Sequence, residues 1–261
     1  MKIASVLAGL AFVAFGTGVM ADALPDMGGK EFTIVTENAY PPLQFMDKDG
    51  KAVGWEYDMV AEMAKRLNLK VKYANISWDA MIPAVSEGQF DMGMTGITIT
   101  DERKAKVDFS DPYMRSESVM MVRGDETRFT DAKSFGADSK LLIGAQAGTT
   151  PFYTAVYDVL DGKEDNPRIK LFETFGASVE ALKAGDVDTV LTDKTAGKGY
   201  VDASGGKLKL VGEPLGAEDF GFIFPKGSAF EAPVNAAIAS LKADGTLDAL
   251  TKKWFLDYKM N

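Results

Sequence analysis

The sequence predicts an α/β protein built from parallel sheets wrapped by helices. Three observations carry this. Short β-rich runs alternate with stretches of helical spacing. That alternation runs once to about Val107 and begins again after Asp138. Two further stretches, residues 108–123 and 209–225, are extended and lack helical periodicity. Two α/β lobes joined by two extended connections fit this order.

The elements follow in sequence. Residues 32–36 read as a strand. Met59, Val60, Met63, Ala64 and Leu67 fall on one helical face, and Asn68 ends that helix. Residues 71–74 are the next strand. Trp78, Met81, Ile82 and Val85 recur at three and four, giving a helix that stops at Gly88. A third strand is expected at 91–95. Later strands fall at 141–145, 169–172 and 187–191, with helices at 151–160 and 178–184. Pro233 opens a helix through Val234, Ile238 and Leu241 that Gly245 closes, and Leu247, Leu250 and Trp254 mark a short final one.

Composition narrows the chemistry. The 261 residues are 46% apolar and 26% charged, an ordinary globular balance. Lys plus Arg number 29 against 38 Asp plus Glu, a net charge of −9. Such a chain offers no electrostatic footprint for nucleic acid or an anionic membrane surface. It contains no Cys and no His. Disulfides, Ser-His-Asp and Cys-His dyads, zinc fingers and His-ligated metals are therefore excluded. Composition leaves room for a hard cation held by oxygens alone, but no motif points to one, and neither metal nor cofactor is expected. Asp47-Lys48-Asp49-Gly50 resembles the start of a calcium loop but lacks the remaining ligands, so a hairpin turn is expected there.

The N-terminus reads as a separate object. Lys2 precedes an apolar run from Ile3 to Met20, with Gly16 and Gly18 near its end and Ala21-Asp22-Ala23 as an A-x-A exit. A basic start, an apolar centre and a small-residue exit describe a signal peptide over residues 1–21, cleaved after Ala21 or Ala23. Export through such a signal predicts a periplasmic protein that relies on its core.

Ligands of open α/β sheets bind beyond the carboxyl ends of strands. Four segments qualify. Thr95-Gly96-Ile97-Thr98 leads to Thr100 and Arg103: Thr98 offers a hydroxyl, Gly96 permits close backbone approach, and Arg103 offers a fork matched to a carboxylate. Equally, Thr100 caps a helix and Arg103 is a surface residue at its third position. Gly148-Thr149-Thr150-Pro151 opens a helix with Thr150 as the expected cap; by itself the motif favours a plain capped helix, and its free N–H groups would also attract an anion. Asp193, after a strand, either holds an ammonium group or caps the helix beginning near Lys194. Glu37 and Tyr40 follow the first strand, while Trp78 either clasps a ligand or joins the core with Met81 and Ile82.

Taken together the segments resemble the extracytoplasmic solute-binding proteins of polar amino-acid ABC transporters, family 3. The matching stretches are Tyr40-Pro41-Pro42-Leu43, Gly54-Trp55-Glu56-Tyr57-Asp58, residues 95–103, Asp108-Phe109-Ser110-Asp111-Pro112-Tyr113, Gly148-Thr149-Thr150, and residues 241–247 through Lys253-Trp254-Phe255. They occur in family order over nearly the whole mature chain. Leu43 replaces the usual Phe, Trp55-Glu56 the commoner Phe-Asp, and Gln146 the Lys of some relatives. The resemblance implies a two-lobed periplasmic-binding-protein fold of type II with two hinge strands. Residues 24–118 plus 217–261 would form lobe 1, and 119–216 lobe 2. By position it implies that Arg103, Thr98, Thr149 and Thr150 hold the α-carboxylate of a free amino acid. Asp193 and the Gly96 carbonyl would take its ammonium, and Tyr40 and Trp78 its side chain. Glu37 and Gln146 would reach the side-chain tip and favour a polar or basic group. The implied role is delivery to an ABC permease of the inner membrane by a monomer that is not an enzyme. The alternative is a cyclohexadienyl-dehydratase-like enzyme in the same cleft.

Overall fold

The computed structural model describes residues 24–160 and 162–259; the signal peptide expected at 1–21 lies outside them. In chain order the elements are β1 (Lys30–Thr36), β2 (Ala39–Tyr40), β3 (Gln44–Met46), β4 (Ala52–Val53), α1 (Trp55–Leu67), β5 (Leu69–Asn75), α2 (Trp78–Ser86), β6 (Met92–Gly93), α3 (Asp101–Lys104), β7 (Asp108–Phe109) and β8 (Met114–Arg123). Then come α4 (Ala132–Ala137), β9 (Ile143–Gln146), α5 (Thr150–Thr154), β10 (Ile169–Phe172), α6 (Phe175–Ala184), β11 (Thr189–Asp193), α7 (Lys194–Ala203), β12 (Leu208–Phe220), β13 (Ile223–Phe224), α8 (Glu231–Ala243) and α9 (Thr246–Lys252). Wider π turns extend α5 over Ala155–Val159 and α9 over Lys253–Asp257.

Two five-stranded sheets result. The first has the order β5-β1-β6-β13-β7, the second β10-β9-β11-β8-β12. In the first, β1 pairs in parallel with β5 and β6, while β13 returns antiparallel to β6. In the second, β9 pairs in parallel with β10 and β11, and β8 runs antiparallel to β11. Each sheet therefore has a parallel core with a returning strand in fourth place. The extended stretches of the sequence become β8 and β12, which pair antiparallel from Met114↔Phe220 to Leu208↔Arg123 with a register shift between Val211 and Gly216.

Both faces of each sheet are covered at its centre, which is why central strands such as β1 and β8 bury apolar residues on both sides. Phe32 and Ile34 of β1 enter a cluster with Met59, Met63 and Leu67 of α1 and Ile238 and Leu241 of α8, whereas Val35 joins Met81, Val85 and Ile223 behind α2. In β8, Met120 packs with Phe135 and Ile143, and its neighbour Met121 with Val179, Leu182 and Val190. Helix ends follow local chemistry. Gly54 starts α1 at φ 141, where a Cβ would overlap the Leu43 carbonyl. Glu56 and Asp58 in the first turn and Lys65 and Arg66 in the last complement the helix dipole, and Asn68 closes it in the left-handed conformation.

The structure differs from expectation in four places. The strand expected at 91–95 contracts to β6, because the chain beyond Gly93 leaves the sheet and turns through Gly96 at φ 63. The cap expected at Thr150 is Thr149, whose hydroxyl accepts from the Phe152 N–H at 3.2 Å; Thr150 is the first helical residue. The small sheet β2-β3-β4 and helix α4 were not expected. The hairpin turn at 47–50 is present, with Asp47 Oδ1 accepting from the Asp49 and Lys51 N–H groups, both at 2.9 Å.

Candidate functional site

The carboxyl ends of β1, β6 and β9 converge on one cavity between the sheets. Its walls include Glu37, Tyr40, Trp78, Gly96, Thr98, Arg103, Gln146, Thr149 and Thr150. Nine of the ten residues singled out from sequence thus line a single space.

Arg103 holds the third helical position expected of it but is not the surface residue that reading allowed. Its backbone N–H donates to the Thr100 hydroxyl at 3.2 Å, placing it in the first turn of α3. Its side chain turns inward and is only 7% exposed. The guanidinium lies 4.9 Å from the Trp78 ring centroid. One amino group donates to the Thr98 carbonyl at 2.9 Å and the other to the Gly148 carbonyl at 3.2 Å. The cation is therefore tied to the loops after β6 and after β9 together. Burial pulls its pKa down, and nearby Glu218 opposes that. Trp78 likewise serves two purposes: one face packs with the α2 core, and the other borders the cavity.

At the opposite end, Gln146 Nε2 donates to Glu37 Oε1 and to the Glu173 carbonyl, both at 2.8 Å. Burial raises the Glu37 pKa, and the Gln146 hydrogen bond holds it back. Tyr40 packs edge-on against Phe175 at 5.2 Å and touches the Gly96 turn. The Gly96 N–H donates to Glu56 Oε1 at 2.9 Å. Glu56, also bonded by the Tyr113 hydroxyl, is wholly buried, and desolvation pushes its pKa up to about 7.

Asp193 is the residue that the structure does not bring to the wall. It has no exposed surface and lies behind Tyr40. The reason is its capping role: Oδ1 accepts from the Thr195 N–H at 2.8 Å and the Ala196 N–H at 3.2 Å, as well as from the Ser116 hydroxyl at 2.9 Å. Oδ2 has no partner in hydrogen-bonding geometry, although the Tyr40 hydroxyl lies beside the carboxylate. Burial raises the Asp193 pKa against these hydrogen bonds. An orphaned, buried carboxylate oxygen is costly unless a cation or donor reaches it.

Sequence reasoning missed Glu218, Phe175 and Phe220 in the cavity wall. Glu218 is 7% exposed; it accepts from the Thr98 hydroxyl at 2.5 Å and the Ser118 hydroxyl at 3.0 Å. Its signal was alternation: Glu218 and Phe220 share the buried face of β12, and Asp219 points outward with Arg115. Among the described residues, the cavity and its immediate surroundings thus hold the carboxylates of Glu37, Glu56, Asp193 and Glu218 against the one guanidinium of Arg103.

Contacts across the cleft join the two halves. The Tyr200 hydroxyl of α7 donates to the Ala39 carbonyl at 3.1 Å. On the same helix, Gly199 sits so close to Pro41 that a Cβ would lie 2.8 Å from its carbonyl oxygen. No helix among the described residues is long and apolar enough to cross a membrane.

Residues 32–257 match the bacterial extracellular solute-binding proteins, family 3. The L-cystine-binding protein TcyA of Bacillus subtilis is 33% identical over 226 residues, covering 85% of this chain and 80% of that protein. Among solved structures, the arginine-, lysine-, histidine-binding protein ArtJ of Geobacillus stearothermophilus matches with TM-score 0.78 and 34% identity, over 86% of this chain and 95% of that one. An ancestral amino acid-binding protein, AncCDT-1, described as a precursor of cyclohexadienyl dehydratase, matches with TM-score 0.77 and 32% identity over 86% and 95%. The architecture is the two-lobed type II fold of these proteins.

Proposed function

From the premise that the chain belongs to the bacterial extracellular solute-binding proteins of family 3, we propose that its cleft binds a free amino acid, with a polar or basic side chain favoured, and delivers it to an ABC importer. The observation that carries this reading is the charge arrangement. A zwitterion can be enclosed only where a cation and an anion both await it. Arg103 supplies the first from the cavity wall, and Asp193 the second from behind Tyr40, its Oδ2 reachable once the Tyr40 hydroxyl beside it moves aside. Thr98 and Thr149 assist the carboxylate, and Tyr40 and Trp78 flank the side chain. The excess of carboxylates supports a basic or neutral polar side chain over an acidic one.

Residues 24–118 with 217–261 form one lobe in this reading, and residues 119–216 the other. Contacts to the ligand come from both, so the ligand favours the closed arrangement. A monomer working in the periplasm, carried there by the segment 1–21 and handing its ligand to a permease of the inner membrane, completes the proposal.

The likeness to AncCDT-1 keeps an enzyme reading in view. A dehydratase substrate with two carboxylates and no amine would meet Glu37, Glu218 and Asp193 with a single guanidinium, so we favour binding without chemistry.

A thermal-shift screen of the twenty amino acids tests the function, because a ligand that binds only the folded state raises its melting temperature. Stabilisation by polar or basic amino acids is expected. Stabilisation by aspartate or glutamate alone would reverse the choice of ligand, and formation of an aromatic product from prephenate would overturn the non-enzymatic reading.

A further inference from the structure

The hydroxyl expected to receive a ligand carboxylate is already occupied. Thr98 donates its one hydroxyl proton to Glu218 Oε2 at 2.5 Å, inside the cavity wall and next to Arg103. Glu218 is fixed from its other side by the Ser118 hydroxyl at 3.0 Å. An amino acid whose carboxylate approaches Arg103 therefore meets a second carboxylate competing for the same hydroxyl. We propose that Glu218 is a positioning residue of the ligand site that takes up a proton when an amino acid binds, so that the Thr98 hydroxyl is released to the ligand carboxylate. This rests on the amino-acid reading of the cleft.

The geometry gives each proton a place. With Glu218 ionised, the Thr98 O–H points to it and only a lone pair faces the ligand. With Glu218 protonated, its own O–H donates to Thr98 Oγ1, and the Thr98 O–H turns to the incoming carboxylate. No bond between heavy atoms changes; one proton enters from solvent. The charge balance runs the same way. The groups facing Glu218 are Arg103 from α3, Asp193 from the end of β11 and Tyr40 from β2; the facing residues of β8 are the neutral Ser116 and Ser118. One guanidinium cannot neutralise both Glu218 and a ligand carboxylate in a desolvated cleft, while Asp193 is opposed by the ligand ammonium. Burial already raises the Glu218 pKa, its Thr98, Ser118 and Arg103 neighbours lower it, and a second carboxylate would raise it further.

The test is calorimetric titration with L-arginine and L-glutamine, whose own groups stay fixed in charge between about pH 5 and 6.5. Titrations in buffers of different ionisation enthalpy read the protons taken up. Uptake approaching one proton per amino acid is expected, with affinity falling about tenfold per pH unit over the range where uptake is complete. In Glu218→Gln the uptake and the pH slope disappear while binding persists. Ser118→Ala, which removes a hydrogen bond to the ionised form, moves the profile to higher pH and serves if the Gln variant fails to fold. Binding with no proton uptake in the wild type, or uptake unchanged in Glu218→Gln, would overturn this inference alone. A screen in which none of the twenty amino acids binds would overturn the function and this inference with it.

Discussion

Gln146 donates to Glu37 across the cleft at 2.8 Å, so a residue from the end of β9 holds a carboxylate from the end of β1 inside the cavity. In the proposed reading the pair meets the end of a ligand side chain and presents the Glu37 carboxylate to it. Replacing Glu37 by Gln keeps an acceptor for Gln146 and removes the charge. The ratio of L-arginine to L-glutamate affinity is expected to fall by about tenfold or more, equivalent to ~1.4 kcal/mol. Calorimetry with both amino acids measures it; an unchanged ratio would place the selecting charge elsewhere.

Among the described residues, Arg103 is the only cation in the cavity wall. Arg103→Ala would leave a ligand carboxylate buried without its partner, with an expected cost of about 3–5 kcal/mol, or roughly a hundredfold to a few thousandfold in affinity. An unchanged dissociation constant would refute its role.

Asp193 combines a helix cap with an orphaned oxygen, and Asp193→Asn separates the two. Asn accepts from the Thr195 and Ala196 N–H groups as Asp does, so α7 and the melting temperature of the unliganded protein should be preserved. Affinity for an amino acid should fall by about tenfold or more, since a charge-assisted bond to the ammonium is lost. Loss of stability with affinity retained would leave Asp193 a cap alone.

Glu56 makes folding stability depend on pH. Its folded-state pKa is raised to about 7 from 4.5, so the folded protein holds more protons than the unfolded chain between those values. Its contribution is complete below about 4.5 and is lost as pH rises through about 7, a change of at most roughly 3 kcal/mol. Glu56→Gln retains an acceptor for the Gly96 N–H and should flatten this part of the profile. Chemical denaturation at pH 5 and pH 8 reads the difference; a wild type equally stable at both pH values, with no slope removed by the substitution, contradicts the assignment.

Gly199 sets how near the halves approach. Gly199→Ala adds a methyl group 2.8 Å from the Pro41 carbonyl. Within α7, Ala is a better helix former than Gly by about 1 kcal/mol, so the helix itself should gain. Closure should lose about 1–3 kcal/mol to overpacking, weakening affinity by about fivefold to a hundredfold. The opposite signs of the melting and binding changes are the check; affinity equal to wild type would show that the contact does not limit closure.

Much of this was legible because the relevant signals are local. The spacing of Met59, Met63 and Leu67 and the breaks at Asn68 and Gly88 mark α1 and α2. The rule that ligands gather beyond strand ends brought Glu37, Thr98, Arg103, Gln146 and Thr149 together before any coordinates. What stayed hidden depends on distant pairings. Glu218 becomes a cavity residue only because β12 lies beside β8 and the Thr98 loop. The depth of Asp193 is set by Tyr40 and Ser116, and the crowding at Gly199 by Pro41. Thr149 and not Thr150 caps α5 because Pro151, suited to the first helical position, is equally free of an unmet N–H at the second.

The side-by-side passage of β8 and β12 has a mechanical consequence. A single tether would let the halves swivel freely; two hydrogen-bonded strands form a ribbon that resists twist and shear. If the cleft closes around an amino acid as proposed, that ribbon would confine the motion to bending, and a docking partner touching only the outer flanks could read occupancy without contacting the cargo.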